Sequence, residues 1–237
     1  MSNTDLYKEN TRGKANHGWL NTAHSFSFGN YYDPKRMNFG ALRVLNDDIV
    51  AGGMGFGRHP HNNMEIITIP LTGELEHNDS MGNGEVIRTD DVQVMSAGTG
   101  ITHSEKNASV KNEVRFLQIW VIPNKKNVTP RYQQISLSQD DKHNKLQQIV
   151  SPNPDDAGVW IYQDAWFHLG KFDKNFKTDY ALKGKISGVY AFVIDGAFII
   201  DRQKLNKRDA IGITDTGKIN IEAETEGAEI LLIEVPM

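Results

Sequence analysis

His59 and His61 flank Pro60 in GRHPHNNME (57–65), and His103 and Glu105 repeat that spacing in AGTGITHSEKN (97–107). In an extended chain, residues i and i+2 project to one face. Each pair therefore aims two metal-binding side chains the same way, with Pro60 and Ser104 turned to the other side. Pro60 also pushes His59 toward extended geometry. Its missing N–H places the stretch at a strand end, an edge or a bulge. If the two strands lie across from each other, His59, His61, His103 and Glu105 converge. Three imidazoles and one carboxylate form a non-haem transition-metal donor set, suited to Fe(II), Mn(II), Ni(II), Cu(II) or Zn(II). Four protein ligands leave about two positions open on an octahedral ion, and an open position is what catalysis needs and a structural site lacks.

The elements that must position these side chains are short strands. NFGALRVLN (38–46), MEIITIPL (64–71), GELEHND (73–79), DDVQVMS (90–96) and EVRFLQIWVIP (113–123) are β-rich runs punctuated by Gly, Asn and Asp. SMGNGE (80–85) carries Asn-Gly between two such runs, which predicts a hairpin. Many short strands with regular turns predict a sandwich or barrel. The best helical segment is LSQDDKHNKLQQIV (137–150), with Ser138 as its N-cap.

The rhythm occurs twice. TGELEHND (72–79) matches DGAFIIDR (195–202), DDVQVMSAGTG (90–100) matches RDAIGITDTGK (208–218), and FLQIWVIP (116–123) matches ILLIEVP (230–236). The offset shrinks from 123 at Gly73 and Gly196 to 118 at Asp91 and Asp209 and 113 at Pro123 and Pro236, as modest loop deletions would produce. Two tandem β domains of similar topology follow, linked through PNKKNVTPRYQQ (123–134). By these offsets, His59, His61, His103 and Glu105 correspond to Leu182, Gly184, Ile221 and Ala223. The second copy thus has no ligand-type residue at any of the four positions.

Composition excludes several functional classes. The 237 residues carry a net charge of −4 with both signs interspersed, and no Lys/Arg stripe marks a nucleic-acid surface. With no cysteine, disulfides, thiolate ligands and a cysteine nucleophile are ruled out. The polar start MSNTDLYKENTRGKANHGW does not resemble a signal peptide, and no run reaches the roughly 18 apolar residues that span a bilayer. The expectation is a cytoplasmic protein that binds neither nucleic acid nor membrane.

GMGFGRHPHNNME and GITHSEKN together resemble the two motifs of the cupin superfamily. HPH, EHNDS (76–80), MSAGTGITHSE (95–105), LQIWV (117–121) and HGWLNTAHSFSFGNYYDP (17–34) resemble segments of the pirin family, in particular the bacterial pirin-like quercetin 2,3-dioxygenases. The likeness spans essentially the whole chain and is strongest over residues 12–135. It implies an all-β bicupin of two jelly-roll domains with few short helices. Residues 1–130 would carry the metal site, and 131–237 would be a degenerate cupin without metal ligands. It further implies oxidative cleavage of a flavonol such as quercetin by O₂ at a divalent ion, Fe(II) being favoured, with Glu105 as ligand and base. Pirins are also linked to regulatory roles, so a metal-containing redox sensor with a protein partner is the alternative.

In many cupins the first-motif glutamate, here Glu65, is a ligand, whereas the pirin pattern places the carboxylate at Glu105. Glu65 is then a supporting residue, or a surface or salt-bridged strand carboxylate. His77 faces either the pocket or solvent. His17 and His24 are read as packing or hydrogen-bonding residues. Phe26, Phe28, Tyr31 and Tyr32 are read as core or inter-domain packing, and His143 and His168 as surface residues.

Overall fold

The computed structural model describes residues 2–237, which form an all-β bicupin. In chain order the first strands are β1 (Asn3–Tyr7), β2 (Gly13–Asn16), β3 (Leu20–His24), β4 (Leu42–Val50), β5 (Gly55–His61) and β6 (Glu65–Thr72). Then come β7 (Glu74–Asp79), β8 (Gly84–Arg88), β9 (Asp91–Ser96), β10 (Ile101–Asn107), β11 (Val114–Val121) and β12 (Arg131–Ser136). The C-terminal stretch adds β13 (Gln147–Ser151), β14 (Val159–Trp160), β15 (Trp166–Phe172), β16 (Lys177–Ala181) and β17 (Ser187–Asp195). It ends with β18 (Ala197–Ile200), β19 (Gln203–Asn206), β20 (Ala210–Thr214), β21 (Lys218–Ala223) and β22 (Ala228–Pro236).

Two compact units result. One comprises Gly13–Leu137 with Val159–Gln163, and the other Met1–Arg12, Ser138–Gly158 and Asp164–Met237. Unlike the expected segments 1–130 and 131–237, these units are interleaved in sequence. The first unit has a sheet ordered β12-β9-β6-β11-β4-β3-β2 and a smaller sheet ordered β5-β10-β7-β8. In the second, β1-β20-β17-β22-β15-β13 repeats the larger order and β16-β21-β18-β19 the smaller. β1 therefore holds in its unit the place that β12 holds in the other. The segment read as a linker, 123–134, runs into β12, which pairs with β9 from Arg131↔Ser96 to Ser136↔Asp91.

The predicted hairpin forms between β7 and β8. Its left-handed residue is Gly82, at φ 94°, rather than the Asn83-Gly84 pair. The predicted helix shrinks to Gln139–Lys142; Ser138 is its N-cap but makes no side-chain capping bond. His143 is already extended and Asn144 is left-handed at φ 53°, so the chain leaves the helix, and the β-branched Ile149 and Val150 continue as β13.

Strand alternation separates inside from outside. In β10 the burial alternates so that Ile101, His103, Glu105 and Asn107 point in. In β7 the buried residues are Leu75, His77 and Asp79. The second unit fills the matching interior with hydrocarbon. Ile221 pairs with Ile200 and Thr178 as Glu105 pairs with His77 and Phe56, and Ile219 pairs with Tyr180 as His103 pairs with His59. Ile200, Ile219, Ile221 and Tyr180 all belong to one buried apolar cluster, and Leu182 packs against it. Cross-strand register thus aligns Glu105 with Ile221 and His103 with Ile219, two residues away from the offset read in the sequence.

His168 is buried at 5% exposure and packs edge-on to Tyr180 at 4.9 Å, so its assignment to the surface is corrected. Its place in β15 puts it on the inward row, and burial followed by Lys183 lowers its pKa to about 3. Tyr32, read as packing, is 72% exposed, while Phe26 is fully in the core.

Candidate metal centre

β5 and β10 run antiparallel, with Ile101↔His61, His103↔His59 and Glu105↔Phe56 in register. A bulge between His103 and Glu105 lets β5 spend an extra residue there, so both His59 and Phe56 face inward. Gly55 permits the close approach: a Cβ at that position would lie 2.2 Å from the Glu105 carbonyl oxygen. Pro60 is exposed, as its place between two inward ligands requires.

The three histidines converge. Ring centroids lie 4.8 Å apart for His59 and His61, 4.4 Å for His59 and His103, and 5.0 Å for His61 and His103. One donor atom from each falls within 4.8 Å of the other two. His77, His103 and Glu105 form a second group by the same measure, so His103 belongs to both. Glu105 therefore joins the cluster through His103 and His77 rather than in a single four-residue group.

Protonation favours metal binding. Burial, then the charge of His59, lowers the His61 pKa to about 4. Burial, then His59, His77 and His61, lowers that of His103 to about 2. Both rings are neutral at neutral pH, the form that ligates. The Gly57 carbonyl accepts from His59 Nδ1 at 2.8 Å, so Nε2 is the nitrogen left available to an ion. His103 Nε2 is buried and has no hydrogen-bond partner among the described residues. A buried polar atom left bare is costly, and an ion at this cluster would satisfy it. The residues present fit a divalent transition metal.

Glu105 is buried at 2% exposure. Gln118 Nε2 donates to its two oxygens at 3.0 and 2.8 Å, and Thr68 Oγ1 lies 3.4 Å from one of them. Burial raises its pKa, while Gln118, His59 and Thr68 pull it back down. Gln118 is opposite Thr68 in β6 and Asn46 in β4, which makes a polar row across the larger sheet. This row was missed in the sequence; the signal was Gln118 alternating with apolar residues in LQIWV.

Glu65 stands apart from the histidines. It accepts a 2.6 Å bond from Ser96 Oγ, and its pKa is raised to about 7, chiefly by burial, with Ser96, Arg131 and Tyr162 opposing. A carboxyl with a higher pKa in the fold than in the unfolded chain stabilises below the unfolded value near 4.5, and that contribution is lost as pH rises through about 7. The loss is on the order of 3 kcal/mol. Glu65→Gln removes the titration, so urea unfolding at pH 5 and pH 8 should show the variant gaining on the wild-type chain at the higher pH. A pH-independent difference between the two would contradict this reading of Glu65.

A cavity of about 590 Å³ lies in the same unit. Trp19, Phe28, Tyr31 and Phe56 line it with Asn46 and Asp48. Phe28 and Tyr31 are therefore cavity walls rather than packing alone. Asn46 is the direct neighbour of Gln118, and Phe28 packs on Trp120 at 5.4 Å, which packs on His61 at 4.9 Å. The size is that of a small-molecule site. His24, read as a hydrogen-bonding residue, contacts Asn46 at 2.8 Å.

Comparison with known proteins gives a consistent result. The pirin family profile matches residues 6–121, and that of the quercetinase C-terminal cupin domain matches residues 148–235. The chain is 41% identical over 231 residues to the quercetin 2,3-dioxygenase of Escherichia coli K12, covering 98% of each. It is 40% identical over 223 residues to a pirin-like protein of Caulobacter vibrioides, covering 94% of this chain and 95% of that one. Among solved structures it is similar to the bacterial pirin YhhW of E. coli in complex with nickel(II), with a TM-score of 0.92, 40% identity, and coverage of 98% and 99%.

Proposed function

Because the chain belongs to the pirin family, we propose that it is a metal-dependent dioxygenase that cleaves a flavonol such as quercetin at the 2,3-position with O₂ and releases carbon monoxide. The observation that carries this reading is the buried, unpartnered His103 Nε2 at the centre of an imidazole cluster beside an aromatic-lined cavity. The relatives named quercetin 2,3-dioxygenase supply the substrate class.

His59, His61, His103 and Glu105 would hold the ion, with Fe(II) the favoured occupant. A bound divalent ion supplies Lewis acidity and, when redox-active, access to O₂ chemistry. The aromatic walls of the cavity would take the flat rings of the flavonol, and Asn46 and Asp48 would meet its hydroxyls. Glu105 would accept the proton of the flavonol 3-hydroxyl. Its burial raises its affinity for that proton, and Gln118 holds the carboxylate in place. Lining residues that exclude water protect the ring from side reactions.

Trp19 packs edge-on to Phe56 at 5.3 Å and forms one wall. Trp19→Ala should raise KM for quercetin about tenfold, or ~1.4 kcal/mol, with metal content unchanged. A KM equal to that of the wild-type chain would remove this wall from the substrate site. The reaction itself is tested by incubating the metal-loaded protein with quercetin and O₂ and trapping the gas phase. Consumption of one O₂ and formation of one carbon monoxide per quercetin are expected. Metal-dependent loss of quercetin without carbon monoxide would contradict the assignment.

A further inference from the structure

His103 is held from behind by two residues outside the proposed ligand set. His77 lies opposite Glu105 on β7, Asp79 lies opposite His103, and both are buried. His77 Nδ1 is 3.5 Å from His103 Nδ1, and His77 Nε2 is 3.4 Å from Asp79 Oδ2. Asp79 is itself anchored: its Oδ1 accepts the Met81 N–H at 2.8 Å and the Asn83 N–H at 3.1 Å, and its Oδ2 accepts Asn83 Nδ2 at 2.7 Å.

The proton positions follow from donor and acceptor roles. A carboxylate only accepts, so the single N–H of a neutral His77 sits on Nε2. His77 Nδ1 is then a lone pair, and the nitrogen facing it, His103 Nδ1, must bear a proton. His103 Nε2 is left as a lone pair, and it is the atom with no protein partner. The second unit provides an internal control. By the offset of the Gly73 and Gly196 turns, Ile200 and Arg202 stand where His77 and Asp79 stand, and Ile219 replaces His103. The pair is missing where the ligand is missing.

We infer that His77 and Asp79 are positioning residues that fix the tautomer of His103: Asp79 sets His77, and His77 sets His103 so that Nε2 faces the ion. The inference rests on His103 being a ligand, as proposed above. Outer partners of ligating histidines are worth about 10- to 100-fold in metal affinity.

Two measurements test it. Imidazole nitrogen NMR of the metal-free, histidine-labelled protein should find His103 protonated on Nδ1 and His77 on Nε2. Ni(II) titration should show affinity about 10- to 100-fold weaker in Asp79→Asn. In that variant the amide oxygen stays with the two backbone N–H groups, so the amide NH₂ faces His77 and reverses both tautomers. His77→Phe should lose affinity similarly, while His77→Gln, which keeps an acceptor for the His103 N–H, should stay close to wild type. Should His77→Phe fail to fold, the wild-type spectrum and Asp79→Asn decide. A proton on His103 Nε2 in the wild-type chain, or Ni(II) affinity unchanged in Asp79→Asn, overturns the inference. A wild-type chain that binds no metal yet shows His103 protonated on Nδ1 upholds the tautomer assignment and contradicts only the proposed metal function.

Discussion

Replacing His103 with alanine is expected to strip the protein of its metal and of its activity together. His103 is the one residue shared by both candidate ligand groups, and its Nε2 has no other partner. Losing a direct ligand should weaken metal binding by more than about 100-fold, the upper end of what an outer partner contributes. Elemental analysis of the purified variant should find a small fraction of the wild-type content, and oxygen uptake with quercetin should fall in proportion. The surrounding strands are held by ladder bonds to both neighbours, so the fold should persist by circular dichroism. A variant with full metal content and wild-type turnover would remove His103 from the site.

Glu105→Gln carries the second large effect. The side chain keeps its size and some of its hydrogen bonding to Thr68 and Gln118, but it can no longer take a proton. Loss of a general base costs about 10²- to 10⁴-fold in kcat, or ~3–5 kcal/mol. The assay is run at saturating metal, so that the weaker binding expected from a neutral ligand does not enter. Turnover within about twofold of wild type under those conditions would deny Glu105 the role of base and leave it at most a ligand.

The placement of the candidate ligands was largely legible because its logic is local. His-X-His and His-X-Glu need only the alternation of a strand to aim two side chains together, and both pairs do face inward. The all-β architecture was legible for the same reason, since Gly and Asn punctuate the strands. What the sequence did not reveal depends on pairing between distant segments. His77 could face in or out until β7 was set beside β10. Gln118 became a partner of Glu105 only through the register of β11 with β6. The interleaving of the units reflects β1 pairing with β20 across some two hundred residues, which no local pattern announces. His168 was misplaced because the lack of a nearby ligand partner was taken as evidence of exposure, whereas its ring fills space beside Tyr180. The 137–150 segment was misread because the chain leaves the helix at His143, already extended, and turns left-handed at Asn144, where propensity alone would have extended it.

No helix among the described residues is long and apolar enough to cross a membrane. The aromatic segment 17–34 was the least well understood from sequence. Its residues divide between core, cavity wall and open surface, and only the fold sorts Phe26 from Phe28 and Tyr32.

Turnover as a function of bound metal tests the central claim most directly. The protein is freed of metal by chelation, reloaded with measured increments of Fe(II) without oxygen, and assayed for oxygen uptake with quercetin. Activity should be absent in the metal-free protein and rise linearly to a plateau at one ion per chain. Quercetin-dependent oxygen uptake that persists undiminished after complete metal removal would contradict the account.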